Sequence, residues 1–174
     1  MQYMTSRFGS IDIEPDHVIT FSEGLPGFSE ARQFVFLPHP GGQGPLYWMQ
    51  CVDDGVSASE LAFPVVSPWR IDSAYAPTIP GSALRELGID DIRGQAQLWA
   101  IVTVPRDRPS DATVNLLAPV LVNRSSRVAR QVIALTDENA LRTPLGRESQ
   151  PQQTAAESQP SSVARTKRRA ASAA

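Results

Sequence analysis

A single cysteine, Cys51, and a single lysine, Lys167, occur in this chain of 174 residues. The lone thiol excludes an internal disulfide framework and a multi-cysteine metal site. Histidine is almost as scarce. His17 and His39 stand alone, with no Asp or Glu clustered at ligand spacing, which argues against zinc. No apolar run approaches the ~18 residues of a bilayer span. The opening Met1–Arg7 lacks the long apolar core of a signal peptide. Serine-hydrolase, P-loop and dinucleotide-binding fingerprints are also missing. The expectation is a soluble cytoplasmic protein with no catalytic residues, no cofactor and no metal.

Proline is what the chain has in excess: 15 residues, spread from Pro15 to Pro160, against a usual share of about 5%. Few stretches are left for a long helix, and a helix bundle is excluded. Strand patterns fill the space instead. Phe8–Glu14 alternates apolar and polar residues, and His17–Phe21 returns after the Pro15-Asp16 turn. Gln33–Leu37, Leu46–Val52, Leu61–Val66, Ala96–Val104, Thr113–Leu117, Val120–Asn123 and Ala129–Leu135 follow, separated by Gly, Pro and Asp turns. Pro64 cannot donate to a ladder, so its strand belongs at an edge or a bulge. One short helix fits Ser82–Leu87, led in by Pro80 and closed by Gly88. Nine short strands and one helix predict a mainly β fold, a small antiparallel barrel or sandwich.

Charge divides the chain. The whole carries −2; residues 1–146 hold 11 bases against 16 acids, and residues 147–174 hold five bases against two acids. From Thr143 onward the sequence is rich in Gln, Ser, Ala and Pro, with almost no large apolar residue. Such a segment cannot bury enough surface to offset its ordering entropy. The expected organisation is a β domain over residues 1–142 and a disordered tail over 143–174. An acidic body repels nucleic acid, so direct nucleic-acid binding is not expected of it.

Several residues invite a closer reading. Cys51 ends an apolar strand just before two acids, which raise a thiol pKa, so it reads as a small core residue. Gly24-Leu25-Pro26-Gly27-Phe28 lacks the lysine and the helix of a phosphate loop and reads as a rigid turn. The acid pairs Asp53, Asp54 and Asp90, Asp91 sit in turns without EF-hand spacing. Arg124, Arg127 and Arg130 form a basic cluster; on an alternating strand Arg124 and Arg130 would share one face. Phe28 and Trp69, aromatics at turns, are the candidate partner-binding hot spots, joined by the four turn acids.

The order of segments adds what composition cannot. Phe8-Gly9 with Ile11, Phe21–Phe28, Phe34–Pro38, Leu46–Val52 and Leu61–Pro68 follow one another as in the flagellar assembly factor family, FliW. Thr113-Val114-Asn115-Leu116-Leu117-Ala118-Pro119-Val120-Leu121-Val122-Asn123, followed by Gln131-Val132-Ile133, resembles that family's T-x-N-L-x-A-P-[IV]-x-[IV]-N stretch. The resemblance spans roughly residues 7–135; the His39–Pro45 loop is longer than its pattern, and the tail lies outside it. It implies a small, barrel-like, non-enzymatic monomer with two protein partners. One is flagellin, held in the cytoplasm before export. The other is CsrA, a dimeric RNA-binding repressor of flagellin translation, which the free factor antagonises non-competitively; a flagellin chaperone without control of RNA is the alternative. The motif residues Gly24, Pro26, Phe28, Asn115, Leu116, Pro119 and Asn123 are carried by this resemblance, in part as structural positions. The acidic body suggests that Asp53, Asp54, Asp90 and Asp91 together disfavour RNA on a bound CsrA by about 1–2 kcal/mol.

Overall fold

The computed structural model describes residues 1–40, 44–54, 60–135 and 138–145. The strands are β1 (Gln2–Thr5), β2 (Gly9–Asp12), β3 (Ile19–Phe21), β4 (Gln33–Pro38), β5 (Leu46–Cys51) and β6 (Ala62–Val66). They continue with β7 (Ala96–Thr103), β8 (Thr113–Val114), β9 (Val120–Asn123), β10 (Val128–Gln131) and β11 (Thr143–Pro144). The helix α1 covers Gly81–Leu87 and ends on Gly88 at φ 63°, in the left-handed region. Pro80 precedes it, as the sequence led one to expect.

Seven strands close a barrel in the order β7-β6-β5-β4-β3-β10-β9, with β9 returning to β7. Strands that alternate in direction can close a ring only in even number. Seven therefore require one parallel pair, and it falls between β3 and β10, where Thr20 faces Val128 and Phe21 faces Ala129. The barrel is antiparallel, as the sequence predicts, at every pair but this one. The registers put one alternate face of each strand inward: Ile19, Phe21, Phe34, Met49, Cys51, Val65, Val120, Val122 and Ala129 form a buried cluster, and Trp99 and Ile101 of β7 pack half-buried against it.

The outer face of β7 and β9 is covered as well. Ile71, Tyr75, Ile79, Ala83, Leu87 and Ile89 pack on Ala96, Leu98, Ala100, Val102 and Leu121. Burial on both faces explains the nearly continuous apolar run of β7. Tyr75 donates to the Leu116 carbonyl at 2.7 Å. With little water around the phenol, its pKa rises to about 12. Outside the barrel, the β1–β2 hairpin docks through Arg7, whose guanidinium lies 4.3 Å above the Trp48 ring, and through the edge of Phe8.

Pro64 is a correction with a reason. Its strand is interior, between β5 and β7, but the β6–β7 ladder covers only Val65 and Val66. The missing N–H faces the stretch that β7 leaves unpaired, so no ladder bond is lost. β1 and β11 were not expected as strands. Thr143 and Pro144, placed in the tail by composition, pair with Val114 and Thr113, and Leu145 N–H donates to Ala112 C=O at 2.9 Å. The rest of the expected tail lies outside the described residues. Arg124, Arg127 and Arg130 do not share an alternating strand. Arg127 occupies the β9–β10 turn at φ 58°, Arg124 donates to the Ala96 carbonyl, and Arg130 lies on β10.

Candidate functional site

The Gly24–Phe28 turn is built by its glycines. Phe28 N–H donates to the Leu25 carbonyl at 2.7 Å, with Pro26 and Gly27 (φ 84°) between them, a type II arrangement. Gly24 stands at φ 74°, and a Cβ there would lie 2.3 Å from the Ser29 carbonyl oxygen. Only glycine fits. The turn leaves Pro26 exposed and sets Phe28, 41% exposed, with its ring centroid 5.6 Å from that of Phe63.

A groove of about 510 Å³ runs beside this turn. Pro26 lines one side, Pro80, Ala83 and Glu86 of the α1 region line another, and Ala118 and Gln131–Ile133 complete it. Three segments that carry the family pattern, the first far from the other two in the chain, thus meet at one surface. The side chain of Gln131 donates to the Ala118 carbonyl at 3.0 Å and ties two of them together. Arg130 is held between Glu86 and Glu23, the latter at 3.1 Å. The rim therefore carries two carboxylates for one guanidinium. Ile133 and Leu135 project beside it, 69% and 68% exposed. Sequence reasoning read Ile133 and Leu135 as part of a strand and missed their exposure; their alternation with Val132 and Ala134, which are buried, was the available signal.

The other expected site residues fall elsewhere. Trp69 is half-buried against the outer layer, and its indole donates to the Tyr75 carbonyl at 2.9 Å. Strand directions put Asp53 and Asp54, after β5, at the barrel end that bears the Phe28 turn; Asp90 and Asp91, before β7, lie at the opposite end. The four acids do not form one patch. Asp53 accepts from the Arg32 and Gln33 amides at 2.6 and 2.9 Å, and Asp91 caps the helical turn Ile92–Gln95 through the Arg93 and Gly94 amides. The Cys51 thiol points at Asp53, 3.2 Å away. Burial first, then the carboxylate, push its pKa up to about 12, so it is no nucleophile at neutral pH.

Asn115, Leu116, Pro119 and Asn123 serve the scaffold. Asn115 Oδ1 accepts from the Ala118 amide at 2.9 Å. Leu116 is buried, and the Pro119 carbonyl accepts from Val132 N–H at 3.0 Å. Asn123 donates to the Leu87 carbonyl at 2.8 Å and accepts from the Ser125 and Ser126 amides, joining the end of α1 to the β9–β10 turn. Among the described residues, no group of three His, Cys, Asp or Glu could hold a metal ion, and no helix is long and apolar enough to cross a membrane.

The model of the FliW protein family matches residues 2–145. The chain belongs to that family. The flagellar assembly factor FliW of Ruminiclostridium cellulolyticum is 37% identical over 142 residues, covering 82% of this chain and 92% of the relative. The FliW of Thermosipho africanus is 33% identical over 138 residues, 79% of this chain and 90% of its own. A crystal structure of the flagellar assembly factor FliW superposes with a TM-score of 0.68 at 28% identity, over 83% of this chain and 94% of that one. The FliW match extends through Leu145, to the residue that follows β11.

Proposed function

We propose that this flagellar assembly factor acts in the cytoplasm by binding proteins, without catalysing a reaction. It binds flagellin before export. Once released, it binds CsrA and relieves repression of flagellin translation without entering the RNA site. Family membership supports the first half of this reading. The observation that supports the groove as the partner surface is the convergence of Pro26, Ala118 and Gln131–Ile133 along it.

The electrostatic part of the reading narrows. Asp53 and Asp91 hold loops together, so neutralising them would disturb the fold before it disturbed any partner. Asp54 and Asp90 are exposed, and their side chains make no hydrogen bond among the described residues. Asp54→Asn and Asp90→Asn, made singly, test whether acids at either barrel end disfavour RNA on bound CsrA. The decisive experiment is titration against purified flagellin and purified CsrA, separately and in competition. Binding of both, with flagellin displacing CsrA, is expected. Binding of flagellin alone leaves the chaperone role; binding of neither overturns the proposal.

A further inference from the structure

Strand β10 loses its neighbour early. β3 pairs with it only through Thr20 and Phe21, opposite Val128 and Ala129, and then turns away toward Glu23 and Gly24. On its other side the chain beyond β10 stays bonded: Val132 and Ala134 donate to the Pro119 and Leu117 carbonyls at 3.0 and 2.8 Å. The open side is not capped until Leu135 N–H reaches the Thr78 carbonyl at 2.8 Å. Between these two points, the N–H and C=O of Ile133 make no protein hydrogen bond among the described residues. Residues 129–135 thus border a gap in the sheet of about 20 Å at ~3.3 Å per residue. The groove lies along this gap.

An unpaired strand edge binds another strand in preference to a helix, because its amide and carbonyl demand partners at strand spacing. The walls fit that occupant. Pro80, Ala83 and Val132 offer apolar surface on the α1 side, and Ile133 offers it on the other, so alternate side chains of an added strand would each meet apolar surface. At the rim, Glu23 and Glu86 share the single cation Arg130, which leaves a negative excess for a basic residue.

We propose that the gap beside Ile133 is a strand-addition site for an extended segment of a partner protein. That segment carries apolar residues at alternate positions and a lysine or arginine where it passes Glu23 and Glu86. The inference rests on the groove being a partner surface, but its test does not depend on which partner fills it.

The full-length protein is panned against displayed random peptides of roughly twelve residues, long enough to fill such an edge. Enrichment of the alternating, basic pattern is expected, with binding lost on Ile133→Pro, which removes the amide, and weakened about tenfold on Ile133→Ser. Because a proline can disturb the fold, the best peptide is also N-methylated on one or the other set of alternate residues and tested on the unaltered protein. Methylation of the edge-facing set should weaken binding about tenfold or more, and methylation of the other set should leave it within about twofold. Failure to recover a peptide sensitive to Ile133→Ser overturns the inference, as does equal sensitivity to both methylation sets. Dimerisation in sedimentation that Ile133→Pro abolishes would assign the edge to a second copy and overturn it too. Flagellin or CsrA binding that ignores Ile133→Ser, with no Ile133-sensitive peptide recovered, overturns this inference while leaving the proposed function intact. Peptide binding without flagellin or CsrA binding does the reverse.

Discussion

Residues 24–28 expose Pro26 and Phe28 around a buried Leu25, whereas residues 113–123 turn most of their side chains inward, although both stretches carry the family pattern. In the longer stretch Val114, Leu116 and Val120–Asn123 are buried, and its polar residues are consumed by caps. In the shorter one Pro26 and Phe28 stay exposed while the backbone beneath them admits only glycine at position 24. A sequence pattern shared by a family therefore has two physical origins here: a packed, hydrogen-bonded scaffold, and a rigid turn that displays what it carries. The turn acts as a stiff platform in spite of its exposure.

The comparison breaks first at its backbone. Gly24→Ala should cost about 3–5 kcal/mol, since strain at positive φ adds to a clash with the Ser29 carbonyl; urea unfolding would show it. A cost below about 1 kcal/mol would mean that the turn is soft. Asn123→Ala comes next, at about 2–4 kcal/mol, because three hydrogen bonds linking α1 to the β9–β10 turn disappear. Its partner affinity, corrected for the folded fraction, should not change.

Tyr75→Phe should cost about 1–3 kcal/mol by orphaning the Leu116 carbonyl of the inward stretch. It should also alter the alkaline profile. Tyr75 and Cys51 both titrate near pH 12 in the fold, above their ordinary 10.0 and 9.0. Their contribution to stability is therefore complete below about pH 9 and lost as pH rises toward 12, because the unfolded chain releases these protons first. The phenylalanine variant should lose less stability than the native chain above pH 10. Phe28→Ala has the smallest effect on folding, under about 1 kcal/mol for a half-exposed ring against Phe63. If Phe28 is a partner contact, calorimetry should nonetheless record at least about a tenfold loss of flagellin or CsrA affinity.

Much of the fold was legible. The strand cores, α1 with its Pro80 and Gly88 boundaries, and the Leu25–Phe28 turn all follow from local rules: alternation, fixed φ at proline and positive φ at glycine. The site was legible only in pieces. Asp53 and Asp91 read as free charges because nothing local reveals that each accepts two backbone amides. Trp69 reads as a partner-binding candidate at a turn because the layer that half-covers it comes from residues on both sides of it in the chain.

Composition and periodicity by themselves determined that this chain makes short strands, closes few helices and carries none of the common catalytic motifs. They act over a few residues, where sterics and burial set the outcome. The tertiary structure decided the rest. Closure of seven strands forced the parallel β3–β10 pair. The early end of that pairing opened the gap beside Ile133, and the path of α1 walled it. These are consequences of ring closure and long-range registry, and no window of neighbouring residues contains them.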